Sequence, residues 1–220
     1  MVGDSLTVGG FGQALQDTFI KVFGADKVAV YGSCGASVEH FLNDEPVFTC
    51  KCGYRETTSR NRILDDGQNG RRPRPHPTPK LGKLLRQHQP EVLIVQLGTN
   101  NFSSLHAKPS SLPDQRRYFE RLALEMTRTT RSLRRVVWIT PPDSTKFSSR
   151  IEKMVDAMIL DSASRHGIYV IQSSKYTRYV NGKTGSDGVH YQTEAARAWA
   201  GQVIRRLNVI LPPMEGRGRR

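Results

Sequence analysis

Long apolar runs are absent from this sequence, and none of its segments is long enough to cross a lipid bilayer as a helix. Cysteine is scarce, with three residues at positions 34, 50 and 52. An odd number excludes a complete set of internal disulfides, and Cys50 and Cys52 are too close in sequence to bridge each other easily. We therefore expect thiols without a bond. Since only distant histidines are available as further ligands, we also expect no metal site.

Acidic residues are few, with 20 Asp and Glu against 33 Lys and Arg, so the formal charge is +13. Such a charge attracts polyanions, including nucleic acid, anionic lipid and acidic cell-wall polymers, and does not choose among them. Neither a spaced aromatic platform nor a zinc-finger pattern accompanies the basic residues, so no nucleic-acid partner is expected. The sequence does not indicate an oligomeric state.

The start of the chain lacks the basic head, apolar middle and small-residue cleavage site of a secretory signal. Only Met1 and Val2 precede a Gly-Asp-Ser turn, where a longer strand is usual. Localisation stays open, with a bacterial envelope or secreted protein as the expectation if an N-terminal segment was removed.

What the sequence does contain is an alternation of strands and helices, in one domain over residues 1–220. Near-continuous apolar runs predict buried strands, and amphipathic segments between them predict crossover helices. This order is typical of an α/β fold with a parallel sheet covered on both faces. The predicted strands are KVAVYG, EVLIVQLG, RRVVWITPP and IYVIQSS.

Two segments interrupt this alternation. Residues 44 to about 80 are rich in Gly, Pro and Arg, which predicts a long exposed loop insertion. It is either a lid or substrate-contacting segment, or a disordered excursion, and its arginines either meet an anionic substrate or form a solvated face. Residues 215–220 read as a frayed basic tail.

In open α/β sheets, functional groups lie on loops beyond the carboxyl ends of the strands. Four such loops carry polar or glycine residues that suit catalysis, at residues 3–5, 33–37, 98–101 and 186–191. They are far apart in sequence, and the predicted sheet would bring them together.

The loop SDGVHY places Asp187 three residues before His190, so a carboxylate and an imidazole lie within one turn. A histidine base oriented by an aspartate converts a serine hydroxyl into a nucleophile, and Ser5 is the candidate nucleophile. The alternatives are that Asp187 and His190 are ordinary turn residues and that Ser5 is a helix cap.

Acyl transfer also needs donors for the developing oxyanion. The candidates are the backbone amides of Ser5 and Gly35 and the side-chain amide of Asn100. An ordinary turn glycine and a cap or turn asparagine are the alternatives for the last two.

Taken in order, GDSL, a glycine after the second strand, GTNN and DGVH resemble the four motif blocks of the SGNH (GDSL-type) hydrolases. The resemblance spans nearly the whole chain. It implies a flavodoxin-like, three-layer α/β/α sandwich with a central parallel five-stranded sheet, a serine esterase or lipase mechanism, and no metal or organic cofactor.

Residue by residue, the resemblance assigns Ser5 as nucleophile, His190 as general base and Asp187 as its supporting carboxylate. It assigns Gly35 and Asn100, with the Ser5 amide, to the oxyanion hole. Gly32 also lies near the second block and is the alternative match for the glycine of that block.

The function that follows is hydrolysis of carboxylic O-acyl esters, acetyl esters among them, through an acyl-enzyme. A carbohydrate or cell-envelope ester, such as an acylated glycan, suits the positive charge. The alternatives are an O-acyltransferase or a lipid esterase of the same fold, and a non-catalytic polyanion-binding protein.

Overall fold

The computed structural model describes residues 1–67 and 71–211, which form alternating strands and helices as predicted. The predicted basic tail at residues 215–220 lies outside the described residues. The strands are β1 Val2–Gly3, β2 Val30–Ser33, β3 Thr49–Cys50, β4 Tyr54–Thr57, β5 Arg62–Asp65, β6 His76–Pro77, β7 Val92–Gln96, β8 Arg135–Ile139 and β9 Tyr169–Ile171. The helices are α1 Ser5–Val8, α2 Gly10–Phe23, α3 Leu81–His88, α4 Thr99–Ala107, α5 Leu112–Arg128, α6 Ser149–Arg165 and α7 Thr193–Ile210.

Five parallel strands form the centre of the sheet, in the order β2-β1-β7-β8-β9, which confirms the predicted fold class. The first strand has only two residues, yet it is the strand between β2 and β7. Val2 lies opposite Tyr31 on one side and Val95 on the other. Ser5 therefore follows a strand at the middle of the sheet.

The main sheet has seven strands rather than five, because the insertion contributes two. Strand β4 pairs antiparallel with β2, and β5 pairs antiparallel with β4. Strands β3 and β6, also from the insertion, form a separate two-stranded sheet. The expectation of one long exposed loop at residues 44–80 was therefore wrong.

A buried arginine shows why the composition of residues 44–80 wrongly predicted an exposed loop. Arg55 in β4 is only 3% exposed. Its guanidinium donates to the Val8 carbonyl oxygen at 2.7 and 3.1 Å and to the side-chain oxygens of Gln13 and Gln16 at 2.7 and 3.2 Å. A charged residue that indicated solvent exposure in the sequence thus attaches the insertion to helix α2 and to the end of α1.

Helices cover both faces of the sheet. The apolar side of α2, including Leu15 and Phe19, packs with α7 against one face, where Trp199 stacks on Phe11 at 3.5 Å between ring centroids. Helices α3 to α6 pack against the other face around Trp138. Alternate residues of β7 enter opposite cores, as expected for a strand buried on both sides. None of the helices in the described ranges combines the length and apolarity that a membrane span requires.

The sequence predicted three free thiols, and this expectation was wrong. Cys34 and Cys52 form a disulfide with 5.5 Å between their Cα atoms, and Cys50 is a buried free thiol. The Cys34 amide also donates to the Gly53 carbonyl at 2.9 Å. The turn between β3 and β4 brings Cys52 beside the end of β2, a proximity that sequence spacing does not reveal.

Candidate active site

The three central loops of the site follow neighbouring strands. Ser5 follows β1, Gly35 follows β2 and Asn100 follows β7, and these strands lie side by side and parallel. Their carboxyl ends therefore meet at one edge of the sheet.

Ser5 is the first residue of α1, and it is not the helix cap. The cap is Asp4, whose Oδ1 accepts a hydrogen bond from the Leu6 amide at 3.0 Å. The Ser5 hydroxyl is consequently available for another partner.

That partner is His190, whose Nε2 lies 2.8 Å from the Ser5 Oγ. On the other side of the ring, Nδ1 lies 2.5 Å from Asp187 Oδ2. The side chains of His190 and Asp187 are 51% and 48% exposed, so solvent and substrate can reach this end of the site. The structure thus brings together the serine, histidine and aspartate singled out in the sequence.

Asp187 is held in its charged form. Burial on its own would raise the pKa of Asp187, but hydrogen bonds from the His190 ring and from the His190 and Val189 amides bring that pKa well below its ordinary value. An ionised carboxylate only accepts hydrogen bonds, so His190 Nδ1 carries a proton. In an imidazole that carries its one proton on Nδ1, Nε2 is an acceptor for the Ser5 hydroxyl.

Tyr179 supports this loop and was missed in the sequence. Its buried hydroxyl accepts from the Gly188 amide at 3.0 Å and faces the His190 carbonyl at 3.3 Å and Asp187 Oδ1 at 3.4 Å. A Cβ at Gly185 would lie 2.1 Å from this hydroxyl, so glycine permits the approach. An aromatic residue eight positions before Asp187 carries no sequence signal for such a contact.

Asn100 and the Gly35 loop contact each other directly. The Asn100 Nδ2 donates to the Ala36 carbonyl at 3.0 Å, which leaves its second amide hydrogen for another acceptor. Gly35 has a φ of 79°, a conformation that disfavours side chains with a Cβ. Within the described part of the chain, the backbone amides of Ser5 and Gly35 donate no hydrogen bond.

The Gly35 loop is attached to the inserted segment. Besides the Cys34–Cys52 disulfide, the Ser33 and Thr78 hydroxyls lie 2.5 Å apart, and the Phe48 ring would lie 3.4 Å from a Cβ at Gly35. Next to this loop, burial and the nearby Lys80 lower the pKa of His40 to about 4, so its ring is neutral at pH 7. The ring stacks on Phe48 at 4.1 Å.

A second carboxyl lies buried behind Ser5. Asp4 is fully buried, and burial raises its pKa to about 6, against the opposing effects of the Leu6 amide, Thr99, His190 and Gln96. The sequence reasoning did not single out this residue, although the motif that contains Ser5 also contains Asp4.

A family model described as GDSL-like Lipase/Acylhydrolase matches residues 1–203. The chain belongs to this family. Ester hydrolysis is therefore its activity, in agreement with the enzyme class predicted from the sequence.

Solved structures share the fold of this GDSL-like lipase/acylhydrolase. A lipase/acylhydrolase from Enterococcus faecalis is 17% identical, with a TM-score of 0.58 and 98% of each chain covered. An acetylxylan esterase from Geobacillus stearothermophilus, in a catalytic mutant form, is 11% identical, with a TM-score of 0.57 and coverage of 94% of this chain and 91% of that one. Est24, a carbohydrate acetylesterase from Sinorhizobium meliloti, is 14% identical, with a TM-score of 0.55 and coverage of 96% and 99%. No curated protein sequence gives a match.

Proposed function

We propose that this GDSL-like lipase/acylhydrolase is a serine esterase that cleaves carboxylic O-acyl esters through an acyl-enzyme on Ser5. The observation that carries the proposal is the hydrogen-bonded series Ser5 Oγ, His190 Nε2, His190 Nδ1 and Asp187 Oδ2, with contacts of 2.8 and 2.5 Å.

In the first step, Ser5 Oγ attacks the ester carbonyl carbon and transfers its proton to His190 Nε2. Asp187 stabilises the imidazolium that forms. The tetrahedral intermediate then collapses, the carbon–oxygen bond to the alcohol breaks, and the alcohol leaves with the proton from Nε2. In the second step, water attacks the acyl-enzyme with the same base, and the acid and free Ser5 are released.

The negative oxygen of each intermediate is stabilised by the Ser5 amide, the Gly35 amide and the second hydrogen of Asn100 Nδ2. Support for this assignment comes from the contact between Asn100 and Ala36, because it places the asparagine next to the Gly35 loop. Donors that have no other partner need no rearrangement when the oxyanion forms.

We propose an acetyl ester on a carbohydrate as the substrate class. The net charge of +13 favours an anionic polymer over a neutral lipid surface. The names of two structures with the same fold, an acetylxylan esterase and a carbohydrate acetylesterase, are consistent with this class. Hydrolysis that is faster with long acyl chains than with acetyl would instead identify a lipid esterase, and acyl transfer to an added sugar would identify a transferase.

The decisive experiment is labelling with a fluorophosphonate, followed by peptide mapping of the adduct. We expect the adduct on Ser5 and loss of at least about ten-thousandfold in kcat for p-nitrophenyl acetate in Ser5→Ala. Ser186→Ala, a change of an exposed serine next to Asp187, is the matched control and should keep wild-type labelling. Full activity of folded Ser5→Ala would contradict the proposal, as would an adduct on another serine.

A further inference from the structure

A groove runs between helices α5 and α6, with a volume of about 660 Å³. It follows one side of α6, where the lining residues recur at helical spacing from Arg150 to Asp161. At 1.5 Å per residue this side is about 16 Å long, which suits a linear ligand. The volume lies in the range of ligand sites in proteins. The large apolar side chains among the lining residues are Leu112, Met154 and Met158.

Three of the residues that line the groove are cations without an acidic partner among the described residues. Arg116 on α5 and Arg150 and Lys153 on α6 are exposed, and none of them has a carboxylate within 4 Å among the described residues. Among the described residues that line the groove, the one acidic residue, Asp161, is paired with Arg165. Three positive charges are therefore free to meet a ligand.

The same cations lie at the catalytic edge of the molecule. Helix α6 follows β8, so it begins at the edge where the strands end. Just before it, Lys146 packs on the His190 loop, where a Cβ at Gly188 would lie 3.0 Å from the Lys146 Cβ. Arg150 lies four positions after Lys146, so their Cα atoms are at most about 14 Å apart. The Phe147 ring between them packs on Phe102 of α4, which begins next to Asn100.

We propose that this groove binds the carboxylates of an acidic polysaccharide, so that the ester cleaved at Ser5 lies on a uronate-containing glycan. The inference rests on the proposed function and extends it to the polymer beyond the reacting sugar. Guanidinium groups bind carboxylates through paired hydrogen bonds, which suits Arg116 and Arg150. Nucleic-acid bases stack on aromatic side chains, and none of the described residues that line the groove is aromatic.

The test compares two variants with the same change in net charge. Arg116→Gln, Arg150→Gln and Lys153→Gln together remove the groove cations. Lys21→Gln, Arg197→Gln and Arg205→Gln remove three exposed cations from α2 and α7, the helices on the opposite face of the sheet. The substrates are acetylated oligogalacturonates, acetylated xylo-oligosaccharides and p-nitrophenyl acetate.

For the groove variant we expect KM for the acidic oligosaccharide to rise about tenfold with kcat within about twofold of wild type. Activity on the neutral oligosaccharide and on p-nitrophenyl acetate should not change. The control variant should resemble wild type with all three substrates. An equal rise of KM in both variants would assign the effect to net charge, and no rise in either would show that the groove does not bind the polymer; each result overturns the inference.

Binding of non-esterified oligogalacturonate, measured by calorimetry at 150 mM salt, gives a readout that does not depend on catalysis. Weaker binding in the groove variant, but not in the control variant, supports the inference whether or not the protein hydrolyses the esters. Absence of hydrolysis with all the esters would refute the proposed function instead. If the groove variant loses binding to single-stranded DNA but not to oligogalacturonate, the groove is a nucleic-acid site and the inference is wrong.

Discussion

Two of the loops that form the candidate site are held in different ways. In the loop at residues 185–191, the main contact lies between residues three apart, because Asp187 accepts hydrogen bonds from the ring and the amide of His190. The loop at residues 33–37 depends on partners far away in the chain. Cys34 is bonded to Cys52, Ser33 contacts Thr78, and Ala36 accepts from Asn100.

Because of this difference, substitutions in the two loops should affect catalysis and folding stability to different extents. Changes at the Asp187 loop should affect catalysis more than folding, because few other elements depend on those side chains. Changes at the Gly35 loop should affect both, since the same contacts attach the insertion to the sheet.

Apart from Ser5→Ala, the largest effect is expected for Asp187→Asn. Loss of the carboxylate removes the acceptor that orients His190 and stabilises its imidazolium, so kcat should fall about 10²- to 10⁴-fold. The free energy of unfolding, measured in urea, should change by only about 1 kcal/mol, because the new amide keeps an oxygen for the His190 and Val189 amides and the side chain is half exposed. Wild-type kcat would contradict its role, and a large loss of stability would contradict the comparison of the two loops.

Two adjacent asparagines give the second prediction. Asn100→Ala removes the proposed oxyanion donor and should lower kcat about 10²- to 10³-fold, with a smaller loss of stability than Asn101→Ala because Asn100 is only half-buried. Asn101 is buried, accepts from the Val38 amide and donates to Gln115, so Asn101→Ala should destabilise the protein by about 1–3 kcal/mol. Kinetics and urea unfolding of both variants provide the check. Equal losses of kcat with equal losses of stability would show that Asn100 has only a structural role.

Removal of the disulfide by Cys34→Ser with Cys52→Ser is the third test. A crosslink that spans 18 residues is expected to stabilise the protein by about 3 kcal/mol. Because the crosslink restrains the residue before Gly35, kcat should also fall several-fold, an effect near 1 kcal/mol in the barrier. Cys50→Ser, which changes the buried thiol outside the disulfide, is the control for kcat and should leave it unaltered. Unchanged kcat in the double variant would show that the other contacts alone position the Gly35 loop.

The last prediction concerns Asp4, affects stability rather than kcat, and depends on pH. Its pKa is about 6 in the folded protein and near 3.8 when unfolded, so the folded state retains a proton that the unfolded state has lost. Stability therefore decreases as the pH rises through this window, by up to about 3 kcal/mol from this group.

Asp4→Asn keeps a side-chain oxygen for the Leu6 amide and cannot ionise. Relative to wild type, the variant should gain about 1–3 kcal/mol between pH 4 and pH 7. Urea unfolding of both proteins at these two pH values provides the measurement. A difference that does not vary with pH would mean that Asp4 titrates near its ordinary pKa in the folded protein.

Much of the fold was predictable because it depends on local periodicity. The apolar strands β2, β7, β8 and β9 and the amphipathic helices α2, α3, α5, α6 and α7 were visible as patterns, whereas α4 was not predicted. The insertion was not, because Arg55 is buried by hydrogen bonds to distant oxygens, and arginine in a sequence indicates a surface. The disulfide was missed for a similar reason, since the pairing of Cys34 and Cys52 depends on how β4 aligns with β2.

The sequence by itself determined the α/β class, the order of the motif blocks and the residues of the candidate site, because these depend on residue type, spacing and periodicity along the chain. Only the tertiary structure decided that Asp4 rather than Ser5 caps α1, that Tyr179 supports the Asp187 loop, and that the insertion extends the sheet and is bonded to the Gly35 loop. The physical reason is that hydrogen bonds and disulfides join atoms that are close in space, whereas a sequence pattern records only what lies nearby along the chain.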